Sequence, residues 1–216
     1  AFLSIAPKGA ALAILLRIFI VALGTFKPTW IYLIVAVSIV SMTYGNIVAI
    51  AQRNIKRLLA YSGIAQIGNL LIGLAAGTKM GNDAILFYLL AYLFANLGAF
   101  AVVIAVSQAI GRDEIEDYRG LGRRSPFLAF SMLLFLLSLA GVPPLAGFIG
   151  KLYIFIAAIK EGLYTLITVG LINIVISMYY YLIVVKQMYI NEPIDPSPIS
   201  IRGPMKAVIY VGLAGT

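Results

Sequence analysis

The sequence predicts an all-α polytopic membrane protein, a bundle of about six full transmembrane helices plus a truncated seventh, with one helix discontinuous. Three observations predict this. Of the 216 residues, 62% are hydrophobic and 11% are charged, whereas a soluble domain is roughly 45–50% apolar and about 25% charged. A soluble globule of this size could not hide so much apolar surface. Apolar runs long enough to cross a bilayer recur along the chain, separated by Gly, Pro, Asn and Asp. The basic residues, finally, gather on alternate connections. An ordinary soluble domain, a disordered chain and a disulfide-stapled secreted domain are excluded. The sequence has no Cys and no His, which removes thiol catalysis, thiolate metal sites, the commonest general base and the commonest metal ligand.

In chain order, the expected spans are residues 2–23, 30–51, 58–76, 84–110, 126–159, 163–190 and 205–216. The first is interrupted by Pro7, Lys8 and Arg17. The second, third and fourth are uninterrupted and bounded by breakers at 24–28, 77–83 and 111–126. The fifth has 34 residues, against the ~20 that suffice to span, so it is read as broken near 141–147. The sixth ends in a Pro-rich polar loop, and the seventh is too short to cross. No second domain, soluble module or low-complexity tract is evident, so residues 1–216 read as a single transmembrane domain. The first residues lack an initiator Met, a basic leader and a cleavage site, and they read as the middle of a membrane helix. Both ends are therefore expected to be cuts within a longer polytopic protein.

The charges test this count. If the connection bearing Arg53, Lys56 and Arg57 is cytoplasmic, alternation puts 111–125 and 191–206 on the same side. That side then also carries Arg112, Arg119, Arg123, Arg124, Lys186, Arg202 and Lys206, which with the first three makes ten of the 16 basic residues. The opposite side carries Lys27, Lys79 and Lys160. This is the positive-inside distribution, and it explains the net charge of +8 without nucleic acid.

Lys8, Arg17 and Lys151 remain inside apolar runs. A mid-span lysine costs at least a few kcal/mol by insertion scales and usually faces a bundle interior or wet cavity. Arg17 lies close to the outer end of its run, and we read it as snorkelling or as a structural ion pair. Lys151 follows SLAGVPPLAGFIG, in which neither Pro143 nor Pro144 has an N–H to continue a helix, and Gly141, Gly147 and Gly150 loosen the same stretch. A lysine beside a helix break at membrane depth is a stronger ion-path signal than a lone lysine. The alternative is a loop that returns into the membrane. Burial disfavours the charged form of an amine, so a moving neighbouring charge could switch it between loading and releasing a proton. All eight acids (Asp83, Asp113, Glu114, Glu116, Asp117, Glu161, Glu192 and Asp195) are expected in loops, so any buried carboxylate partner must come from outside this segment.

Ser62, Gln66 and Asn69 share one helical face, and so do Tyr92 and Asn96. Such faces can hold a water chain between lysines or act as interhelical hydrogen-bonding glue. Tyr179, Tyr180 and Tyr181 read as an interfacial aromatic belt in preference to a quinone site. The segment EIEDYRGLGRRSP can dock a soluble partner or form a solvated loop.

Two stretches carry a family resemblance. NIVAIAQRNIKRLLAYSGIAQIGNLLIGL and DYRGLGRRSPFLAFSMLLFLLSLAGVPPLAGFIGKLYIF resemble the KRLLAYSSI and SLxGxPPLAGFxGK motifs of antiporter-like, proton-translocating membrane subunits of respiratory complex I. With SMYYYL following, the chain is most similar to the C-terminal half of the subunit N group, called subunit 2 in chloroplast and mitochondrial forms. The resemblance covers nearly the whole chain. It implies an inverted-repeat antiporter-like fold and makes Lys8 and Lys151 the proton-translocating residues. Lys151, where a sister subunit has glutamate, matches the lysine of the broken helix that faces the exit route. Gln66, which cannot titrate and could relay only through water, stands where many relatives have histidine, and Asn69 where many have tyrosine. Ser62, Gln66, Asn69, Tyr92 and Asn96 become relay candidates. Gly141, Pro143, Pro144 and Gly147 become the helix break.

The resemblance also implies a translocase subunit of an NADH:quinone oxidoreductase, with NADH or a related donor and quinone used elsewhere in the complex. No flavin, iron–sulfur, nicotinamide or metal site is expected in this chain. The implied partners are the other membrane subunits, including neighbouring antiporter-like subunits, and the lipid bilayer. The implied location is the cytoplasmic membrane of a prokaryote, with a thylakoid membrane possible. Two alternatives stay open at this point. One is an Mrp-type Na+/H+ antiporter or membrane-bound hydrogenase subunit; the other is a structural scaffold whose lysines sit in ion pairs.

Overall fold

The computed structural model describes residues 6–193, 195, 197–199 and 203–216. The start of the first expected span (2–5) and the expected cytoplasmic Arg202 lie outside the described residues. Helix α1 (Ala6–Leu16) carries Pro7 in its first turn, where a missing N–H breaks no intrahelical bond. It continues as a π-helical stretch, Arg17–Ala22, and then a short 3-10 turn, Gly24–Phe26. The Trp30 indole N–H donates to the Leu23 carbonyl at 2.9 Å and pins that turn to α2 (Lys27–Ile50). Arg17 is exposed, while Leu12 is buried against the bundle.

Helices α2 and α3 (Ile55–Ala76) meet through small residues. A Cβ on Gly68 would stand 2.8 Å from the Met42 nitrogen and 2.9 Å from the Ser38 carbonyl. The Ser38 hydroxyl donates to the Gly68 carbonyl at 2.7 Å. Such close backbone approach suits lipid, where helices associate by tight packing and not by exclusion of water. The Asn54 side chain caps α3 by accepting from the Lys56 and Arg57 amides at 3.0 and 3.2 Å. Gly77, at φ +61°, ends it.

Helix α4 (Lys79–Ile110) starts at a Thr78 cap and ends at Gly111. Asp83 therefore sits inside the helix, just past its first turn, and not in a loop, because the Thr78 hydroxyl accepts from the Gly81 amide and recruits the polar stretch KMGND into the helix. After α5 (Leu121–Arg124) come α6 (Pro126–Ala140) and α7 (Ala146–Lys160), separated by a turn that includes the cis Pro143–Pro144 bond. Helix α8 (Tyr164–Tyr189) crosses beside α2, and α9 (Gly203–Ala214) lies against α4 and α6.

Four stretches, Gly24–Ile50, Ile55–Ala76, Lys79–Ile110 and Tyr164–Tyr189, are long and apolar enough to cross a membrane, and Pro126–Ala140 and Gly203–Ala214 are shorter apolar helices. Exposed apolar residues cover the outside of α2 (Tyr32, Val40, Ile47) and α8 (Leu171, Val175, Leu182).

The connections separate into two ends. At one, the Ile55 amide donates to the Asp113 carbonyl at 2.9 Å, the Ile115 amide to Arg53 at 2.8 Å, and Lys56 pairs with Asp113 at 2.7 Å. Arg119 and Arg124 reach the carbonyls of Glu192 and Ser197. The connections rich in basic residues are thus physically joined. The ammonium of Lys56 holds the Asp113 carboxyl below its ordinary range, and burial pushes the neighbouring Tyr118 phenol up. At the other end, Lys27 bonds to the Ala76 carbonyl at 2.6 Å and to Glu161 at 2.7 Å, and Lys160 contacts the Met80 sulfur.

Candidate functional site

The break between α6 and α7 creates a cation site. An α-helix leaves its last four carbonyls without intrahelical donors. In α6 these belong to Leu137, Ser138, Leu139 and Ala140. The amides of Gly141 and Val142 turn back to Leu137 and Ser138 at 3.0 Å, with Gly141 in the left-handed region at φ +87°. The Leu139 and Ala140 carbonyls instead accept from the Lys151 ammonium, at 2.7 and 3.0 Å. Lys151 is 3% exposed. The negative end of the α6 dipole and two carbonyl oxygens thus oppose the desolvation of its charge. Gly141 is required twice over, for its positive φ and because a Cβ there would stand 2.9 Å from the Lys151 Cδ.

The start of α7 is sealed too. The Ala146 amide donates to the Thr216 carbonyl at 2.7 Å and the Gly147 amide to the Ser138 hydroxyl at 3.2 Å. A Cβ on Gly147 would collide with the Ser138 carbonyl.

Gln66 of α3 is the hub beside Lys151. Its amide N–H donates to the Leu139 carbonyl at 2.8 Å, the acceptor it shares with Lys151. Its carbonyl oxygen accepts from the Tyr88 hydroxyl and from the Asn69 amide, the latter at 3.2 Å. The Lys151 Nζ lies 6.0 Å from the centroid of the Tyr88 ring, within cation–π range. Lys8 belongs to a second group. Its ammonium donates to the Tyr92 hydroxyl at 3.0 Å, and Gly63 leaves it room, since a Cβ there would clash with both partners. Tyr92 lies one turn beyond Tyr88 on α4, and Asn96 is buried a further turn on. The Ser62 hydroxyl bonds back to the Leu59 carbonyl at 2.9 Å.

The structure therefore places Lys151, Gln66 and Asn69 in one connected group and Lys8 with Tyr92 in another, with Ser62 on the α3 face between them. Among the described residues, neither lysine is paired with a carboxylate, and the four ion pairs all involve groups at the two ends of the bundle.

Several polar residues escaped the sequence reading. Tyr88 is one, although its spacing of four from Tyr92 was available as a signal. Tyr180 and Tyr181 are each 1% exposed, whereas Tyr179 is 58% exposed. The expected aromatic belt thus loses two of its three members to the interior, because successive residues on a helix point about 100° apart. The Tyr180 hydroxyl donates to the Asn46 carbonyl oxygen at 2.9 Å, and the Asn46 amide donates to the Asn173 side-chain oxygen at 2.9 Å and its backbone carbonyl at 3.0 Å. Polar groups thus form one cluster at Lys8 and another at Lys151, with a third between α2 and α8.

Comparison with known proteins adds an independent line. Residues 1–177 match the model of the family described as NADH:quinone oxidoreductase/Mrp antiporter, transmembrane. NAD(P)H-quinone oxidoreductase subunit 2 of Microcystis aeruginosa is 48% identical over 197 residues, covering 91% of this chain and 38% of the relative. NADH-quinone oxidoreductase subunit N of Heliobacterium modesticaldum is 46% identical over 216 residues, covering 100% and 46%. A chain of respiratory complex I from Thermus thermophilus with bound aureothin is similar in structure at a TM-score of 0.72 and 34% identity, over 85% of this chain and 42% of that one. The chain thus spans less than half the length of these relatives.

Proposed function

The chain belongs to the NADH:quinone oxidoreductase/Mrp antiporter transmembrane family, and from that premise we propose that it forms a proton-translocating part of an NADH (or related donor):quinone oxidoreductase. In this reading residues 1–216 are a single transmembrane domain, the second half of a larger subunit. It has six full spans plus a truncated seventh, with α6 and α7 together making one discontinuous span of an inverted-repeat fold. The membrane is the cytoplasmic membrane of a prokaryote or a thylakoid, with the end bearing Arg53, Lys56 and Arg57 inside. The partners are other membrane subunits of the complex, neighbouring antiporter-like subunits among them. Donor and quinone react in those other subunits, and this chain contributes translocation without a redox centre of its own.

The observation that carries the reading is Lys151: a buried amine at a helix break, held by two carbonyls and no carboxylate among the described residues. Among the described residues its charge is balanced by carbonyl dipoles and the Tyr88 ring, so a charge displaced nearby during quinone reduction can tip it between protonated and neutral forms. Lys8 serves as the second proton-carrying amine, and Gln66, Asn69, Ser62, Tyr92 and Asn96 line the route. Mrp-type exchange remains the second reading, because the family description spans both chemistries. The curated relatives, named as quinone oxidoreductase subunits, favour the first.

The test is Lys151→Ala in the assembled complex in sealed vesicles. Protons moved per electron are expected to fall severalfold while the complex still assembles. Normal pumping in the assembled variant refutes the assignment of Lys151. Co-purifying quinone-reducing subunits support complex I membership, and small membrane subunits alone support the antiporter.

A further inference from the structure

The hydrogen bonds on either side of the bundle centre stop short of each other. Lys8 reaches Tyr92, and Lys151 reaches Leu139, Gln66 and Tyr88. Between the two groups lies the hydroxyl of Tyr181, which belongs to the same buried cluster as Tyr92 and Tyr180. It is fully enclosed and, among the described residues, makes no hydrogen bond of regular geometry, although the Ser62 hydroxyl, the Gln66 amide and the Tyr180 hydroxyl are its polar neighbours. Tyr88 and Tyr92 are its electrostatic neighbours from α4.

A buried polar group without a partner is destabilising, so one placed at the junction of two networks calls for an explanation. Tyr180, its chain neighbour, shows the contrast. The Tyr180 hydroxyl is committed to Asn46 at 2.9 Å, an interhelical bond that ties α8 to α2.

We propose that Tyr181 is the relay hydroxyl joining the Lys8–Tyr92 group to the Gln66–Tyr88–Lys151 group, left unbonded at rest so that it can turn toward either. The proposal rests on the reading that the two lysines exchange protons. The step conserves protons. The Tyr181 oxygen accepts one on a lone pair as its own O–H proton leaves toward the other group, and rotation of the hydroxyl restores the starting state. No net charge stays on the ring. Ser62, one helical turn from Gln66 on α3, offers a second hydroxyl for the hand-over.

Tyr181→Phe tests this in the complete complex reconstituted in sealed vesicles, with Tyr180→Phe and Lys151→Ala in parallel. Phe keeps the ring and removes only the hydroxyl. For Tyr181→Phe, heat tolerance is expected to equal or exceed that of the parent, because an unsatisfied buried group is lost. Proton translocation is expected to fall severalfold, to no lower than in Lys151→Ala, with a larger solvent isotope effect on the residual rate. Tyr180→Phe is expected to behave in the opposite way, with reduced heat tolerance and normal pumping. Normal pumping in Tyr181→Phe, or its failure to assemble, overturns the relay. If Lys151→Ala also pumps normally, the underlying lysine reading has failed. If Lys151→Ala is defective and Tyr181→Phe is not, only the relay has failed.

Discussion

Replacing Gln66 with leucine separates the hub of the buried network from its lysine. Leucine fills nearly the same space but removes three hydrogen bonds, those with Leu139, Asn69 and Tyr88. The Leu139 carbonyl keeps its bond to Lys151 at 2.7 Å. Two donors are orphaned: the Tyr88 hydroxyl and the Asn69 amide, whose own oxygen already lacks a partner among the described residues. At about 1–3 kcal/mol for each unsatisfied buried group, the loss is about 2–6 kcal/mol. Membrane helices give smaller values, because the separated helices also find partners, so about 2 kcal/mol is expected. For a chain of this size that lowers the thermal midpoint by about 4–8 °C. The assay is retention of the subunit in purified complex after graded heating, run as a double-mutant cycle with Tyr88→Phe. The pair Gln66→Leu with Tyr88→Phe leaves no orphaned hydroxyl, so it should recover about 1–2 kcal/mol relative to the sum of the single variants. If Gln66→Leu is as heat-tolerant as the parent, or the double variant is merely additive, Gln66 is not the hub.

Two further predictions concern the scaffold. Gly68→Val should prevent or severely weaken assembly, because even the first added carbon meets the α2 backbone at Ser38 and Met42; normal assembly on a native gel would show that α2 and α3 are not held that close. The Lys56–Asp113 pair should contribute less than about 1 kcal/mol. Since the folded-state Asp113 carboxyl is held below its ordinary range, that contribution is complete above pH ~4 and disappears as pH falls through the lowered value. Asp113→Asn should therefore change heat tolerance slightly at pH 7 and not at all in strong acid, and a difference that grows on acidification would contradict the sign.

The discontinuity of α6 and α7 was legible because it leaves two independent marks: surplus length and a pair of prolines that cannot donate. The membership of Gln66 and Asn69 in one group was legible from helical spacing alone. The inward turn of Tyr180 and Tyr181 was not. Consecutive aromatics near a helix end fit an interfacial belt equally well, and only packing against α2, α3 and α6 decides which of the three faces lipid. The start of α4 was hidden for a local reason: KMGND is a polar run that reads as a loop until Thr78 is seen to cap it. The partners of Lys151 were beyond reach of the side-chain pattern, because they are backbone carbonyls, and any sequence can supply those once its helix is broken.

That last point bears on how one lysine can both close a helix break and move a proton. Two carbonyls of α6, Leu139 and Ala140, accept from Lys151, Leu139 sharing it with Gln66, and water is not assured at that depth. An ammonium has three N–H donors, of which these bonds use two. Loss of the third proton leaves a neutral amine with two N–H groups, enough to keep both carbonyls bonded. The break therefore stays sealed in either protonation state, and the transferable proton is the one that the scaffold does not need. A carboxylate at this position would only accept hydrogen bonds and would leave the Ala140 carbonyl without its donor when ionised. The same arithmetic explains why Lys151→Ala should still assemble. Leu139 retains Gln66 at 2.8 Å, so a single carbonyl, that of Ala140, is left without a donor, at about 1–3 kcal/mol. Lys151→Gln keeps two N–H donors and cannot give up a proton, so it should be at least as heat-tolerant as Lys151→Ala and equally unable to pump. If the glutamine variant pumps, the lysine is there to seal the break and nothing more.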